Sequence, residues 1–250
     1  MTTIEYRSEI STKNMVFTSA GDNTDFIKWW CSKNSCYDIY VIYYGDNDII
    51  YNKYSHQVKF IEKNKGSKFQ NFLKFYNKYP DIIDNYDRFF ILDDDIEITS
   101  DDINTMFAIS KKYELSICGP SFKDNSFISW PITKHKPGVL LEYTNFVEVN
   151  TPLFNKNALV NTIKWLDPTL IGWGIDILFI WVNGINEKKK YAIIHSVSCC
   201  NPVGRASNCG KRELLILKDA GNRQKIWETY AKKIGCPKII KDVVYETILH

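Results

Sequence analysis

Three consecutive acids, Asp93, Asp94 and Asp95, directly follow the apolar run 89–92. Adjacent carboxylates repel one another and cost stability unless a cation or solvent compensates their charge. Alternate residues of an extended segment point the same way, so Asp93 and Asp95 can bind one cation while Asp94 faces elsewhere. Such oxygen ligands suit Mg²⁺ or Mn²⁺, which also bridge phosphate oxygens. A solvated acidic turn is the alternative, but the preceding hydrophobic strand favours a metal site.

A second candidate is the run Gly172-Trp173-Gly174-Ile175-Asp176. Two glycines around a large aromatic side chain predict a tight turn with close backbone packing. Asp176 falls at the start of a predicted helix, where a negative charge is favourable in any case. On its own the run would indicate a helix start with a buried tryptophan. Together with the acid triplet, it favours a functional carboxylate at Asp176.

His195 ends the strand-like apolar run 191–195. A lone histidine in this position is more often a structural residue with satisfied hydrogen bonds than a metal ligand. Its imidazole could nevertheless complete a metal site as a third ligand beside the carboxylates. Both interpretations remain open at this point.

Strand-like and helix-like segments alternate through the first half of the chain. Strands are predicted at 14–19, 37–44, 57–61, 88–92 and 116–119, with a helix on the apolar face 69–76 and another capped by Ser100. In the second half, strands are predicted at 140–150 and 191–197, and helices at 156–165, 175–182 and 211–234. The alternation predicts a mostly parallel central sheet with helices on both faces. Ligands bind such sheets at the carboxyl ends of the strands, where the Asp, Gly and Asn clusters fall.

The Asp-x-Asp run, the Gly-Trp-Gly-x-Asp run and the late histidine together resemble the motifs of GT-A glycosyltransferases. The stretch 86–195 is also similar to a family of uncharacterised glycosyltransferase-like proteins, through the segments Pro131-Ile132-Thr133 and Val147 to Phe154 (Val-Glu-x-x-x-Pro-x-Phe). The resemblance implies a single GT-A-like (Rossmann-like) α/β domain over 1–250. Its nucleotide-binding half would cover about 1–98 and its acceptor-binding half about 99–250.

The resemblance also implies an activity: metal-dependent transfer of a sugar from a nucleotide-sugar donor, a UDP-sugar, to the hydroxyl of a glycan or other acceptor. Mn²⁺ or Mg²⁺ would be held by Asp93, Asp95 and His195, and would neutralise charge on the leaving phosphates. Asp176 would be the base that activates the acceptor hydroxyl. One base and an in-line displacement would invert the anomeric centre.

Further site residues are expected from their positions after predicted strands and in the motifs. The nucleotide side would include Asp22, Asp46, Lys68 and Asp94, and the acceptor side Trp130, Glu148 and Trp173. Four of these residues have a plainer interpretation: Asp22 and Asp46 as turn residues, Lys68 as a solvated helix start, and Trp130 as a core side chain.

Bulk properties narrow the function classes. The net charge is only +3, and the basic clusters are short, which argues against a nucleic-acid binder. No apolar run reaches the roughly 18 residues of a membrane span and the start lacks a secretion signal, so we expect a cytoplasmic protein whose seven cysteines are reduced. Two alternatives remain: a nucleotidyl- or phosphoryl-transferase with a carboxylate metal site, and a non-catalytic carbohydrate- or Ca²⁺-binding domain. The oligomeric state is left open.

Overall fold

The computed structural model describes residues 13–24, 26–202, 217 and 219–250. Its strands are β1 (Asn14–Ala20), β2 (Asp38–Tyr43), β3 (Phe60–Lys63), β4 (Arg88–Ile91), β5 (Ile117–Phe122), β6 (Val139–Thr144), β7 (Leu153–Asn155), β8 (Tyr191–Cys199) and β9 (Val244–Leu249). Its α-helices are α1 (Phe26–Trp30), α2 (Asp48–Ser55), α3 (Lys68–Lys78), α4 (Pro80–Asp84), α5 (Ser100–Lys112), α6 (Lys156–Ile163), α7 (Ile175–Asn183) and α8 (Arg223–Ile234). The strands form a nine-stranded sheet in the order β3-β2-β1-β4-β7-β5-β8-β6-β9.

The first four strands form a parallel block. Strand β1 pairs in parallel with β2 and β4, and β2 pairs in parallel with β3. Their carboxyl ends therefore lie along one edge of the sheet, and the loops that follow them are neighbours. This arrangement brings the loop after β1 and the acid triplet after β4 together, although about 70 residues separate them in the sequence.

The rest of the sheet is mixed, which corrects the prediction of a mostly parallel sheet. Strand β7 runs antiparallel between β4 and β5, and β6 runs antiparallel to both β8 and β9. Only the pairing of β5 with β8 is parallel there, within the described residues. The prediction failed for two reasons. Strand β7 has only three residues, too few to leave a recognisable periodicity. Strands β6 and β8 were both predicted, but periodicity does not show in which direction two strands pair.

Helices cover both faces of this sheet. Alternate residues of β1 point to opposite faces, with Met15 and Phe17 in one core cluster and Val16 in the other. The first cluster takes buried apolar side chains from α3, α6, α7 and α8, and the second takes them from α1, α2 and α5. The chain is thus a mixed α/β unit. The division at residue 98 into nucleotide-binding and acceptor-binding halves remains a prediction.

Several helices and strands begin or end at residues other than those predicted. The helix predicted to be capped by Ser100 is capped by Thr99, whose hydroxyl accepts from the Asp102 N–H at 3.1 Å. The strand predicted at 140–150 ends at Thr144, and the strand predicted at 57–61 lies at Phe60–Lys63. Of the helix predicted at 211–234, Arg223–Ile234 forms α8 and Ala220–Asn222 forms a 3₁₀ turn, whereas residues 211–216 and 218 lie outside the described residues. No helix in the described part of the chain is long and apolar enough to cross a membrane.

Candidate functional site

A cleft of about 780 Å³ opens at the carboxyl ends of β1, β2 and β4 and extends to α7 and α8. This volume is within the range of small-molecule binding sites. The predicted site residues that line it are Asp22, Asp46, Lys68, Asp93, Asp94, Asp95, Trp130, Glu148, Trp173 and Asp176. His195 is not among the lining residues. The fold therefore gathers all but one of the predicted side chains around a single cavity.

Asp22 joins the loops that follow β1 and β2. Its carboxylate accepts from the Tyr43 hydroxyl and from the backbone N–H groups of Asp46 and Asn47, at 3.2 and 3.3 Å. Burial acts to raise the pKa of Asp22, but these hydrogen bonds together outweigh it and the pKa lies below its ordinary value. Asp46 forms an exposed ion pair with Lys65 at 3.1 Å. Asp22 therefore shapes this wall of the cleft by fixing its backbone.

Asp94 faces the same two loops. Its Oδ2 accepts from the Gly21 N–H at 3.0 Å and from the Tyr44 hydroxyl at 3.1 Å. Burial raises the pKa of Asp94 to about 7, and the charge of Asp95 adds to the rise. Asp94 is therefore directed towards the loops after β1 and β2, whereas Asp93 pairs with Lys68 on α3. The triplet is not extended as predicted: the Ile96 N–H donates to the Asp93 carbonyl at 3.2 Å, so the acids form a turn after β4.

Lys68 is a buried cation at the start of α3. Its Nζ donates to the carbonyls of Ile91, Val149 and Asn150 at 3.1, 2.8 and 2.9 Å, and lies 2.7 Å from Asp93 Oδ1. An ammonium group has three N–H donors, so these contacts occupy all of them. Lys68 therefore has no free donor for a nucleotide, and it is not a solvated helix start either, because its side chain is only 9% exposed. Lys68 instead ties the end of β4 to segment 149–150.

The donor set for a metal ion consists of carboxylates on one wall. No three His, Cys, Asp or Glu side chains converge as a ready-made metal site anywhere in the described ranges. Asp93 and Asp95 nevertheless both line the cleft. Mg²⁺ is often held by only one or two carboxylates together with substrate phosphates and water. These residues therefore fit a divalent cation that takes its remaining ligands from a bound phosphate compound.

His195 lies in the middle of β8, because that strand continues to Cys199 beyond the predicted end. Its ring is buried; Nδ1 accepts from the Lys136 N–H at 3.1 Å, and Nε2 lies 3.2 Å from Glu142 Oε2. Glu142 is also paired with the Lys136 ammonium at 2.7 Å. Burial lowers the pKa of His195, which favours the neutral ring that these contacts require. Both ring nitrogens are thus engaged away from the cleft, and we leave His195 out of the metal site.

Replacing His195 with Ala should lower stability by about 1–3 kcal/mol, because it breaks buried hydrogen bonds. The Mn²⁺ concentration for half-maximal activity should stay the same. Thermal unfolding and a metal titration measure the two effects, with His135→Ala as the matched control. The His135 ring is half-buried and bonds to Ser121 at 2.9 Å. A tenfold or larger rise in the Mn²⁺ requirement would restore the ligand interpretation.

Asp176 lies in the first turn of α7, directly after the glycine turn. Gly174 caps this helix with φ of +78°, a conformation that favours glycine. The Asp176 carboxylate is 7% exposed and accepts from the Ile177 N–H at 3.0 Å. Burial raises the pKa of Asp176 to about 6. The turn therefore holds a carboxyl group of raised basicity at the cleft wall.

Helix α8 packs directly on this turn. The Trp227 side chain covers Gly174 so closely that a Cβ there would lie 2.1 Å from Trp227 Cδ2. Trp227 is buried, and its Nε1 donates to the Lys238 carbonyl at 3.1 Å. Trp173 is 46% exposed, with the Arg223 guanidinium 5.6 Å above its ring. The C-terminal part of the chain thus completes the cleft beside Asp176.

A Gly174→Ala substitution should destabilise the protein by about 3 kcal/mol or more, from overpacking and the left-handed backbone together. For a chain of this size we expect a fall in Tm of roughly 6–12 °C. Gly172→Ala is the control, because Gly172 also has a positive φ of +97° but a Cβ there meets no atom within 4 Å. Equal losses in the two variants would show that contact with Trp227 is not what requires glycine at position 174.

Comparison with known proteins adds a family and a fold. The family described as "Protein of unknown function (DUF707)" matches residues 8–144, which is more than half of the chain. The chain belongs to the DUF707 family. No curated protein matches it significantly in sequence.

The fold of this DUF707 protein is similar to crystal structures of S. aureus TarS. TarS 1–349 in complex with UDP-GlcNAc matches with a TM-score of 0.57 and 10% identity, covering 89% of this chain and 66% of that one. TarS 1–349 in complex with UDP matches with a TM-score of 0.51 and 12% identity, covering 89% and 72%. Against another TarS structure the score is 0.52 at 11% identity, and the DUF707 chain spans 42% of its length. At these identities the likeness is one of fold.

Sequence reasoning missed part of the cleft in this DUF707 protein. Arg223, Gln224, Trp227, Glu228 and the segment 238–240 also line it. Helical periodicity predicted the helix that carries the first four, but no local pattern shows which surface a helix will cover. Trp130 combines the two interpretations considered for it, since it lines the cleft and packs on Phe146 with ring centroids 4.9 Å apart.

Proposed function

We propose that this DUF707 protein is a glycosyltransferase that moves a sugar from a nucleotide-sugar donor to an acceptor hydroxyl. The observation that carries the proposal is the sharing of one cleft by the acids after β4 and by Asp176 at the start of α7. Transfer needs a site for the leaving phosphates and a base for the attacking hydroxyl. The similarity in fold to TarS structures with UDP-GlcNAc and UDP supports a UDP-sugar as the donor.

The nucleoside would lie over the loops after β1 and β2. Asp22 and Asp94 hold these loops through hydrogen bonds to Asp46, Asn47 and Gly21, so the backbone surface offered to a ligand is already formed. The diphosphate would then reach the acid triplet, which follows the adjacent strand β4. Ligand sites at the carboxyl ends of neighbouring parallel strands are the usual arrangement in α/β folds.

Asp93 and Asp95 would hold Mn²⁺ or Mg²⁺ at the diphosphate. When bound, such a cation stabilises negative charge on the leaving phosphate oxygens. The chain itself contributes the orientation of Asp93, because the buried Lys68 ammonium fixes that carboxylate against segment 149–150. The metal dependence of the activity is part of the proposal.

Asp176 would act as the base. The acceptor oxygen forms a bond to the anomeric carbon, the bond from that carbon to the phosphate oxygen breaks, and the hydroxyl proton passes to the Asp176 carboxylate. Burial raises the pKa of Asp176 to about 6, so the group is ionised at neutral pH yet more basic than an ordinary aspartate. Displacement by one base opposite the leaving group inverts the anomeric configuration.

A ligand screen tests the proposal. UDP-, GDP- and CMP-sugars are each added with and without Mn²⁺, and thermal stability and sugar transfer to hydroxyl acceptors are measured. We expect one nucleotide sugar to stabilise the protein in a metal-dependent way, by about 2.7 kcal/mol at 100 times its Kd. Stabilisation by nucleoside triphosphates instead would indicate a nucleotidyl- or phosphoryl-transferase. A response to Ca²⁺ or free sugars alone would indicate a non-catalytic binding domain.

A further inference from the structure

Glu148 carries a buried carboxyl oxygen that the protein leaves unsatisfied. The side chain is 5% exposed and lines the cleft. Its Oε1 accepts from the Asn150 side-chain amide at 2.9 Å. The Ser129 hydroxyl is close enough to the carboxyl group to oppose the rise in its pKa, but no described residue makes a hydrogen bond of ordinary geometry to Oε2. Leaving such a group unpaired typically costs about 1–3 kcal/mol. A ligand in the cleft that pairs with Oε2 would recover this cost.

The position of Glu148 indicates which part of a ligand it meets. The next two residues, Val149 and Asn150, are held by Lys68, which also pairs with Asp93. Burial raises the pKa of Glu148 to about 8, and the charges of Asp176 and Asp93 both add to the rise. Glu148 is therefore influenced by the phosphate-side acids and by the candidate base.

We propose that Glu148 binds a hydroxyl or amide group of the sugar that is transferred, and that it contributes to the choice of donor. This inference rests on the proposed function. During transfer the sugar lies between the diphosphate, on the Asp93 side, and the attacking hydroxyl, at Asp176. Glu148 lines the same cleft as both acids and lies near enough for both charges to act on it, so we expect it to meet the sugar. This moves Glu148 from the acceptor side predicted from the sequence to the donor sugar.

The chemistry of a sugar suits this position. A hydroxyl group both donates and accepts hydrogen bonds, so it can pair with Oε2 whether the Glu148 carboxyl is ionised or protonated. The hydrogen bond of Asn150 fixes the other oxygen and so orients the carboxyl group. A buried polar group built to pair with a substrate discriminates against substrates that lack the matching group. Glu148 would therefore favour sugars that present a polar substituent to it.

Binding measurements on matched ligands test this role. The Kd values of UDP, UDP-GlcNAc, UDP-glucose and UDP-galactose are measured by calorimetry, with Mn²⁺ present, for the wild type, Glu148→Ala and Glu148→Gln. We expect the alanine variant to bind the preferred UDP-sugar at least about tenfold more weakly and UDP within twofold of the wild type. The glutamine variant, which keeps a polar group, should bind UDP normally and rank the three sugars differently.

The control is Glu62→Gln, which removes a half-buried acid bonded to Lys78 and Tyr79 outside the cleft. All its Kd values should equal those of the wild type. Equal weakening of UDP and UDP-sugar by the Glu148 variants would overturn the inference, because it indicates a structural role. Unchanged UDP-sugar affinity and ranking would overturn it as well.

If the alanine variant does not fold, the order in which the glutamine variant binds the three UDP-sugars tests the inference. If the wild type binds neither UDP nor any UDP-sugar, a UDP-sugar is not the donor. The role of Glu148 is then tested by the same comparison with GDP or CMP and their sugars. If no nucleotide sugar binds, both the proposed function and this inference are wrong.

Discussion

An Asp176→Asn variant should lose about 10²- to 10⁴-fold in kcat while its affinity for the nucleotide-sugar donor barely changes. The substitution keeps the size of the side chain and removes the proton acceptor. Donor contacts should survive, because Asp93, Asp95 and the loops after β1 and β2 are untouched. Single-turnover kinetics and calorimetric titration of the donor measure the two quantities separately.

The pH dependence of kcat is a second test of the Asp176 carboxyl group. Since burial raises the pKa of Asp176 to about 6, the carboxyl group becomes protonated and inactive as pH falls through that value. Wild-type kcat should therefore rise with pH up to about 7. The kcat of Asp176→Asn should not show this rise. A control is Asp101→Asn, which alters an exposed acid in the first turn of α5, outside the cleft.

Two results would contradict the catalytic role of Asp176. One is a kcat within a few fold of wild type combined with a slightly lower Tm, which would make Asp176 only a helix-start residue. The other is a product that retains the anomeric configuration of the donor, because direct displacement assisted by one base inverts it.

An Asp95→Ala variant should lose metal-dependent nucleotide binding and at least about 10²-fold in turnover. Even the indirect partners of a metal ligand are worth 10- to 100-fold, and a direct ligand is worth no less. The affinity for UDP, measured with Mn²⁺ and again in EDTA, should differ in the wild type and coincide in the variant. Asp124→Ala, which removes an exposed acid paired with Lys134, is the control. Full activity of the wild type in EDTA would refute the metal requirement.

Replacing Asp95 tests the metal site more directly than replacing Asp93 does. From the sequence, removal of one charge from a repelling triplet should leave the fold intact. In the structure, however, Asp93 is the counter-ion of Lys68, whose side chain is only 9% exposed. An uncompensated buried charge destabilises a protein, by up to about 3 kcal/mol for a pair that is partly exposed as here. Lower activity of Asp93→Ala could therefore reflect lost stability as well as a lost ligand.

The sequence predicted the first half of the fold well because its signals are local. The strands that became β1, β2 and β4 are continuous apolar runs that end in Gly, Asn or Asp, and both features can be seen within ten residues. The same runs placed Asp22, Asp46 and the acid triplet after strand ends. β7 and β9 escaped prediction, since β7 has three residues and the alternation of Val244–Leu249 is weak. They are the strands that help make the sheet mixed.

By itself, the sequence determined which chemical groups are present and at which element ends they fall, because strand periodicity and turn composition are short-range properties. Only the tertiary structure decided which of these groups face one another. It paired His195 with Glu142, 53 residues earlier, and turned Lys68 towards Asp93 and segment 149–150. It also placed Trp227 on Gly174 and left one Glu148 oxygen unpaired in the cleft. These outcomes depend on how buried surfaces pack across the sheet, and that packing couples residues far apart in the chain.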